Sequence, residues 1–289
     1  MTTPATEKNK LELILQDSEK VRLLPSGAIP AEDRVISILM ACATAVPHYL
    51  RNLLKPLNIS ITKKSRVDCY IDPPFVHPVT GIWTKPHGLI VTKTGKKTWT
   101  ALILARVGNQ EIDTSHLQQI FEIAEENKID AVLTFASLPP TEHEKIPGQI
   151  KHLHLSWMTV VNLTSLSINN IGDKLSDVQV FLLMELFRYF QDPDSQMLLP
   201  VNMGNAWRNV SVAIQNDLDL AKLNASVDTL MLNWNKLLPY LAFRLALFIG
   251  HEVHVHLSAQ QKNHPERSAK ENKANLIDSH QLHAQFNIP

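Results

Sequence analysis

Cysteine is nearly absent: the 289 residues hold two, Cys42 and Cys69, in apolar or strand-like surroundings without CxxC spacing. That argues against a disulfide framework and against a cysteine zinc site. No GxxxxGK[ST], GxGxxG or GxSxG occurs, so phosphate-loop hydrolysis, dinucleotide binding and serine-hydrolase chemistry have no motif to stand on. Long apolar runs are missing as well. The best membrane candidate, 237–250, is too short to span a bilayer and contains Arg244. The opening MTTPATEKNK lacks the apolar stretch of a signal peptide. There is no net charge either, with 28 basic residues against 28 acidic ones, which rules out a uniformly polycationic surface but not a local patch. A reduced, cytoplasmic protein with no membrane partner is the expectation.

What is present is an ordinary globular composition, 44% hydrophobic and 19% charged, and enough chain for about two domains. Residues 1–30 read as a polar lead-in with a short helix around Leu11–Leu15, broken by Pro25, Gly27 and Pro30. A long helix is predicted over 31–52, because Val35, Ile36, Leu39, Met40, Ala43 and Val46 recur at helical spacing. Glu32 and Asp33 in its first turn suit the helix dipole. Strands are predicted at 66–72, 88–92 and 98–107, with a turn after Gly95. Asp113 or Thr114 can cap a helix running to about Asn127, whose stripe is Leu117, Ile120, Phe121 and Ala124. Strands at 131–135 and 152–155 follow. The order is that of an α/β unit whose last strand returns through a crossover helix. Residues 156–168, 174–190, 206–222 and 226–249 read as helical, and the stripe Phe181, Leu182, Met184, Leu186, Phe187 and Phe190 reads as core. A final strand is predicted at 252–257, and the tail from Ser258 as a polar segment or a lone helix.

Within the α/β unit, Pro86-His87-Gly88 opens the second strand, and Leu104-Ala105-Arg106 lies on the third, followed by Gly108 and a helix bearing His116. This pattern resembles the PD-(D/E)XK, or restriction-endonuclease-like, nuclease superfamily, and in particular a group of uncharacterised bacterial proteins built on that core. HLSW (154–157), ELFRYFQDPDS (185–195) and MGNAW (203–207) carry the resemblance further, so that it covers roughly 31–260. It implies a restriction-endonuclease-like core (α-β-β-β-α-β) at 31–157, a mostly α-helical C-terminal region at 158–260 and a polar tail at 261–289. The group's chains continue into a further module, and the closing HAQFNIP reads like the start of another apolar segment. A shortened relative is therefore expected.

Active relatives place an Asp, a Glu-x-Lys and a pairing Gln at these positions. Residues i and i+2 of a strand share a face, so carboxylate and ammonium stand side by side, and the neighbouring Asp completes a Mg²⁺ site. Here His87 stands for the Asp, Leu104 for the Glu, Arg106 for the Lys and His116 for the Gln. Leu104 cannot ligate a metal, a hard cation prefers oxygen to the His87 nitrogen, and Arg106 cannot act as a base. The resemblance thus implies an inactive nuclease with no cofactor. A divergent active enzyme is the rival reading. It would use Mg²⁺ or Mn²⁺ at a migrated site drawn from Asp68, Asp72 and His87, with His77 nearby in sequence, although solvated strand-face polars and a turn histidine account for the same residues.

Charge is unevenly divided. Between Arg51 and Arg106 ten basic residues face two acids, a local balance of +8, and the next segment, 107–150, is acidic. Lys63, Lys64, Arg66, Lys85, Lys93, Lys96, Lys97 and Arg106 are the candidate nucleic-acid-binding residues, expected to surround the would-be active face. Trp83 and Trp99 are candidate stacking platforms. Lysines also decorate turns and strand edges for their own sake. A third reading is a protein-interaction or self-association module built on the helical region. The alternating histidines of HEVHVH (251–256) and the pair His152 and His154 have metal-like spacing, but no third ligand is evident.

Overall fold

The computed structural model describes residues 4–62, 64–81, 83–108, 110, 112–137, 150–169, 175–192, 195, 203–249, 251, 253–256 and 265–288. They fall into two compact units, Met1–Leu199 and Pro200–Pro289. The expected boundary at 157/158 lies inside the first of these.

The first unit is built on a mixed six-stranded sheet. Its elements in chain order are α1 (Pro4–Asp17), β1 (Glu19–Lys20), α2 (Ala31–Ala45), α3 (Pro47–Leu53), β2 (Arg66–Ile71), β3 (Phe75–Val76), β4 (Trp83–Thr84), β5 (Gly88–Thr94), β6 (Lys97–Ala105), α4 (Thr114–Glu126), β7 (Ala131–Ala136), β8 (Lys151–Ser156), α5 (Trp157–Asn169) and α6 (Asp177–Gln191). The sheet order is β1-β2-β5-β6-β7-β8. The first four strands run antiparallel to their neighbours, and β6, β7 and β8 are parallel. This is the mixed α/β architecture that the hydrophobic pattern implied.

Local chemistry explains most of these elements. Gly95 adopts φ 61°, which a tight two-residue hairpin turn requires and which an L-residue with a Cβ resists. Asp113 caps α4, its carboxylate accepting from the N–H groups of Ser115 at 2.8 Å and His116 at 3.4 Å. The helix predicted over 31–52 is two helices. Pro47 keeps Val46 out of the helical region (φ −122°, ψ 78°) and starts α3 anew. The β3–β4 hairpin is an element that alternation did not reveal, since each strand has only two residues.

The sheet is covered on both faces. On one face Leu89, Val91, Leu102, Leu104 and Val132 meet Leu117, Ile120, Phe121 and Ala124 of α4, with α1 packing alongside through Leu11, Ile14 and Leu15. Phe75 brings the β3–β4 hairpin into that core. Buried His77 ties the hairpin to α4 through Glu122 at 2.9 Å. On the other face α2 lies against β5 and β6. α3 packs on α5, where Tyr49 and Thr164 share a buried 2.8 Å hydroxyl hydrogen bond, and α6 packs on α2. Only Leu183, Leu186 and Phe190 of α6 are buried. Two of the six residues of the expected core stripe instead face solvent, Phe181 at 59% exposed and Met184 at 40%, beside Val178 at 67%.

The second unit holds α7 (Gly204–Gln215), α8 (Asn224–Ile249), β9 (His254–Val255), α9 (Pro265–Ser279) and β10 (Phe286–Asn287). The tail helix is not alone. Leu276 of α9 is buried with Val210, Val227 and Leu230, and Lys273 pairs with Asp228 at 2.5 Å. Phe286 pairs with Val255 and packs near Val253, so the closing residues complete a two-stranded ladder.

The sharpest packing constraint in the first unit is at Gly88. A Cβ there would stand 3.1 Å from Ile36 Cγ2, 3.1 Å from Ile103 Cδ1 and 3.2 Å from the Tyr70 carbonyl. Gly88→Ala is expected to lower stability by about 1–3 kcal/mol through overpacking. Denaturant unfolding checks this; an unchanged midpoint would show that α2 is not seated so closely.

Candidate functional site

The four positions singled out by the motif converge at one end of the sheet, where β5 begins and β6 ends. Gly88 is in register with Ile103, so His87 stands beside Leu104 across the strand boundary. The His87 Nδ1 accepts the Ala105 N–H at 3.1 Å, which leaves the ring proton on Nε2. Burial, then the neighbouring Arg106 and His116, push its pKa down to about 3. This imidazole is neutral at physiological pH.

Leu104 is fully buried in the core beneath α4. Arg106 follows β6 and is held from both sides by its backbone. Its N–H donates to the Phe135 carbonyl at 2.8 Å, and its carbonyl accepts from Trp157 Nε1 at 2.7 Å. Its guanidinium reaches back to the Ala105 carbonyl at 3.1 Å and across to His116 Nδ1 at 3.4 Å. His116 is lowered in pKa by burial and by Arg106. A cation flanked by two depressed imidazoles stands where the resemblance puts metal ligands.

Carboxylates are present at this end, but not at the motif positions. Glu32 and Asp33 lie in the first turn of α2, and Glu32 Oε1 accepts the Val107 N–H at 3.5 Å. Asp72 follows β2 in the left-handed region (φ 48°) and pairs with Lys85 at 2.5 Å. Asp33 is raised to about 6 by burial, by Asp72 and by Glu32, against the opposing Lys85. Read along the chain, Glu32 and Asp33 are only partners of the helix dipole. Nothing local announces that a helix start will meet the end of a strand more than sixty residues later.

The rival set gathers only in part: Ile71 is in register with Gly88, which sets Asp72 beside His87, but Asp68 is apart from them. Asp68 is engaged by Lys20 at 3.1 Å and Arg66 at 2.8 Å. Three strand residues, about 10 Å, separate it from the end of β2, beyond which Asp72 turns to Lys85. His77 belongs to the hairpin latch on α4. Among the described residues no group of three or more His, Cys, Asp or Glu is arranged to hold a metal ion. His152 and His154 both meet the hydroxyl of Thr134, at 3.0 and 3.1 Å, and burial lowers His154 to about 4. His256 bonds Asn287 at 3.0 Å; Glu252 lies outside the described residues.

The basic segment does not line this end. Of its candidates only Lys85 and Arg106 are here, alongside the three carboxylates. Lys64, Arg66, Lys93, Lys96 and Lys97 are at the opposite end, where β2 begins, β5 ends and β6 begins. Nine residues of strand, about 30 Å, part Lys97 from Arg106. Antiparallel pairing is the cause, since a hairpin carries its tip as far from its open end as the strands are long. Lys63 lies outside the described residues. Trp83 is 64% exposed on the β3–β4 hairpin, and Trp99 is half-buried on β6.

No family model, curated protein or solved structure matches the chain. Among the described residues no helix is long and apolar enough to cross a membrane.

Asp33 yields a prediction with a definite sign. Its folded pKa, about 6, lies above the ordinary 3.8. The folded state therefore holds the proton more tightly, and stability is lost as pH rises from about 4 through 6. Asp33→Asn is expected to raise the stability at pH 7.5, by about 1 kcal/mol after discounting for solvent screening and for the helix dipole, seen as a higher melting temperature. The gain should vanish near pH 4. A gain that grew towards acid pH would contradict the burial argument.

Proposed function

We propose that this protein is a nuclease-like scaffold of the restriction-endonuclease-like type that has given up metal-dependent cleavage and serves as a binding or regulatory module acting on nucleic acid. The run α2-β2-β5-β6-α4-β7, an antiparallel trio followed by a parallel strand through a crossover helix, supports the fold reading. One observation carries the functional reading: Leu104 is buried in the core at the spot where the resemblance requires a carboxylate, and beside it Arg106 is flanked by His87 and His116. A guanidinium at this point repels a divalent cation, and a leucine offers it no oxygen.

The exposed Val178, Phe181 and Met184 on α6 favour a second reading, a protein partner or a second copy docked on that helix. Phe181→Ser with Met184→Ser should then shift the oligomeric state measured by sedimentation; an unchanged monomer in both proteins removes the self-association form of this reading.

Incubation with single- and double-stranded DNA and RNA in Mg²⁺, Mn²⁺ or Zn²⁺ tests the main reading. No cleavage is expected, and cleavage abolished by changing Asp72 or His87 would overturn it. The triple variant His87→Asp, Leu104→Glu and Arg106→Lys is expected to melt lower than the parent, because a carboxylate enters the core. Mn²⁺ should recover much of that loss by binding only the folded state. A variant whose melting temperature ignores Mn²⁺ would show that the positions are misaligned.

A further inference from the structure

We infer that the β5–β6 hairpin end of the sheet, remote from the motif positions, is a surface for single-stranded nucleic acid, with phosphates on its lysines and a base on Trp99. The inference rests on the binding role proposed above and moves it to a different part of the molecule.

Two pieces of chain far apart in sequence build this end. The loop before β2 is fastened to the hairpin where Ser65 Oγ and Thr94 Oγ1 meet at 2.6 Å. Arg66 is the cross-strand partner of Lys93, and Thr94 that of Lys97. Lys64, Arg66, Lys93, Lys96 and Lys97 are all exposed. Like charges set directly opposite one another on a sheet repel, so Arg66 beside Lys93 works against the fold. A polyanion lying across both would relieve that repulsion. Among the described residues, Arg66 is the only one of the five in an ion pair, with Asp68, which Lys20 also holds. The carboxylate of Asp130, just before β7, is turned to β6 and accepts from the Thr100 N–H and hydroxyl at 2.8 and 3.1 Å.

Trp99 supplies what charge alone does not. It lies two residues from Lys97 on β6, so the two side chains share a face. Its cross-strand partner is Thr92, too small to cover an indole, and the ring stays half-buried. Arg66 and Lys93 project from the opposite face, so the fit is to a strand that stacks a base on Trp99 beside Lys97 and carries its phosphates round the turn at Lys96 to Lys93 and Arg66. In a duplex the base faces are already stacked on one another, which is why the fit is to single strands.

The test measures binding of a labelled oligothymidylate of about 15 nucleotides by fluorescence anisotropy between about 50 and 200 mM salt. Lys93→Gln with Lys96→Gln and Lys97→Gln is expected to weaken binding at least tenfold at low salt. It should also flatten the log–log salt slope by about 2, from roughly 0.7 for each lost phosphate contact. Trp99→Leu should weaken binding about tenfold, and Trp99→Phe, which keeps a stacking face, much less; melting curves establish that each variant folds. Preference for the oligonucleotide over its duplex form and over polyglutamate supports the inference. Equal binding to all three, no binding by the parent, or loss through Lys85→Gln rather than the hairpin lysines overturns it. Cleavage of the bound strand in Mn²⁺ would sink the non-catalytic reading while leaving the binding surface in place, so the two failures are distinct.

Discussion

The seating of α2 on the sheet at Gly88 governs the rest of the first unit. Ile36 and Ile103 close on that glycine at distances a Cβ would violate. One helical turn before Ile36 are Glu32 and Asp33, so the same contact delivers two carboxylates to the end of β6. The approach also fixes the helix layer on that face, because α3 continues from α2 and carries Tyr49 to its buried bond with Thr164 of α5. A larger residue at position 88 would push back the helix and everything hung on it.

Around that contact the sheet has two chemically different ends. At one, Arg106 is clamped by Phe135 and Trp157 and faces two imidazoles, with Glu32, Asp33 and Asp72 close by. Opposing charges there hold one another: Lys85 holds Asp72, and a partly buried Asp33 resists ionisation. At the other end, like charges are set side by side and exposed, Arg66 against Lys93 with Lys96 and Lys97 beyond. A locally neutralised end suits structure. An uncompensated end suits a charged partner, and this contrast links the non-catalytic reading to the proposed binding surface.

Several elements could be read directly from the chain. The 3.6-residue stripe of α4 and its Asp113 cap, the Gly95 turn and the short, fully buried β7 each follow from a local rule, and each occurs where that rule puts it. Others failed for physical reasons. Pro47 split the long helix because its ring restricts Val46. The α6 stripe is exposed at Phe181 and Met184, because the apolar band on that helix is wider than the strip its neighbours cover. The β3–β4 hairpin escaped notice because two-residue strands have no measurable alternation.

The sequence by itself determined the α/β order, the histidine at 87, the leucine at 104 and the arginine at 106, since these depend on residue identity and short-range periodicity. Only the tertiary structure decided which charges share a neighbourhood. A run of ten cations reads as one patch along the chain, yet antiparallel pairing sends Lys93, Lys96 and Lys97 to one end of the sheet and Arg106 to the other. The packing of α2 on the sheet brings Glu32 and Asp33 to Arg106's end. Charge is counted by position along the chain, but its effect depends on distance in space, and a strand nine residues long separates what the sequence sets side by side.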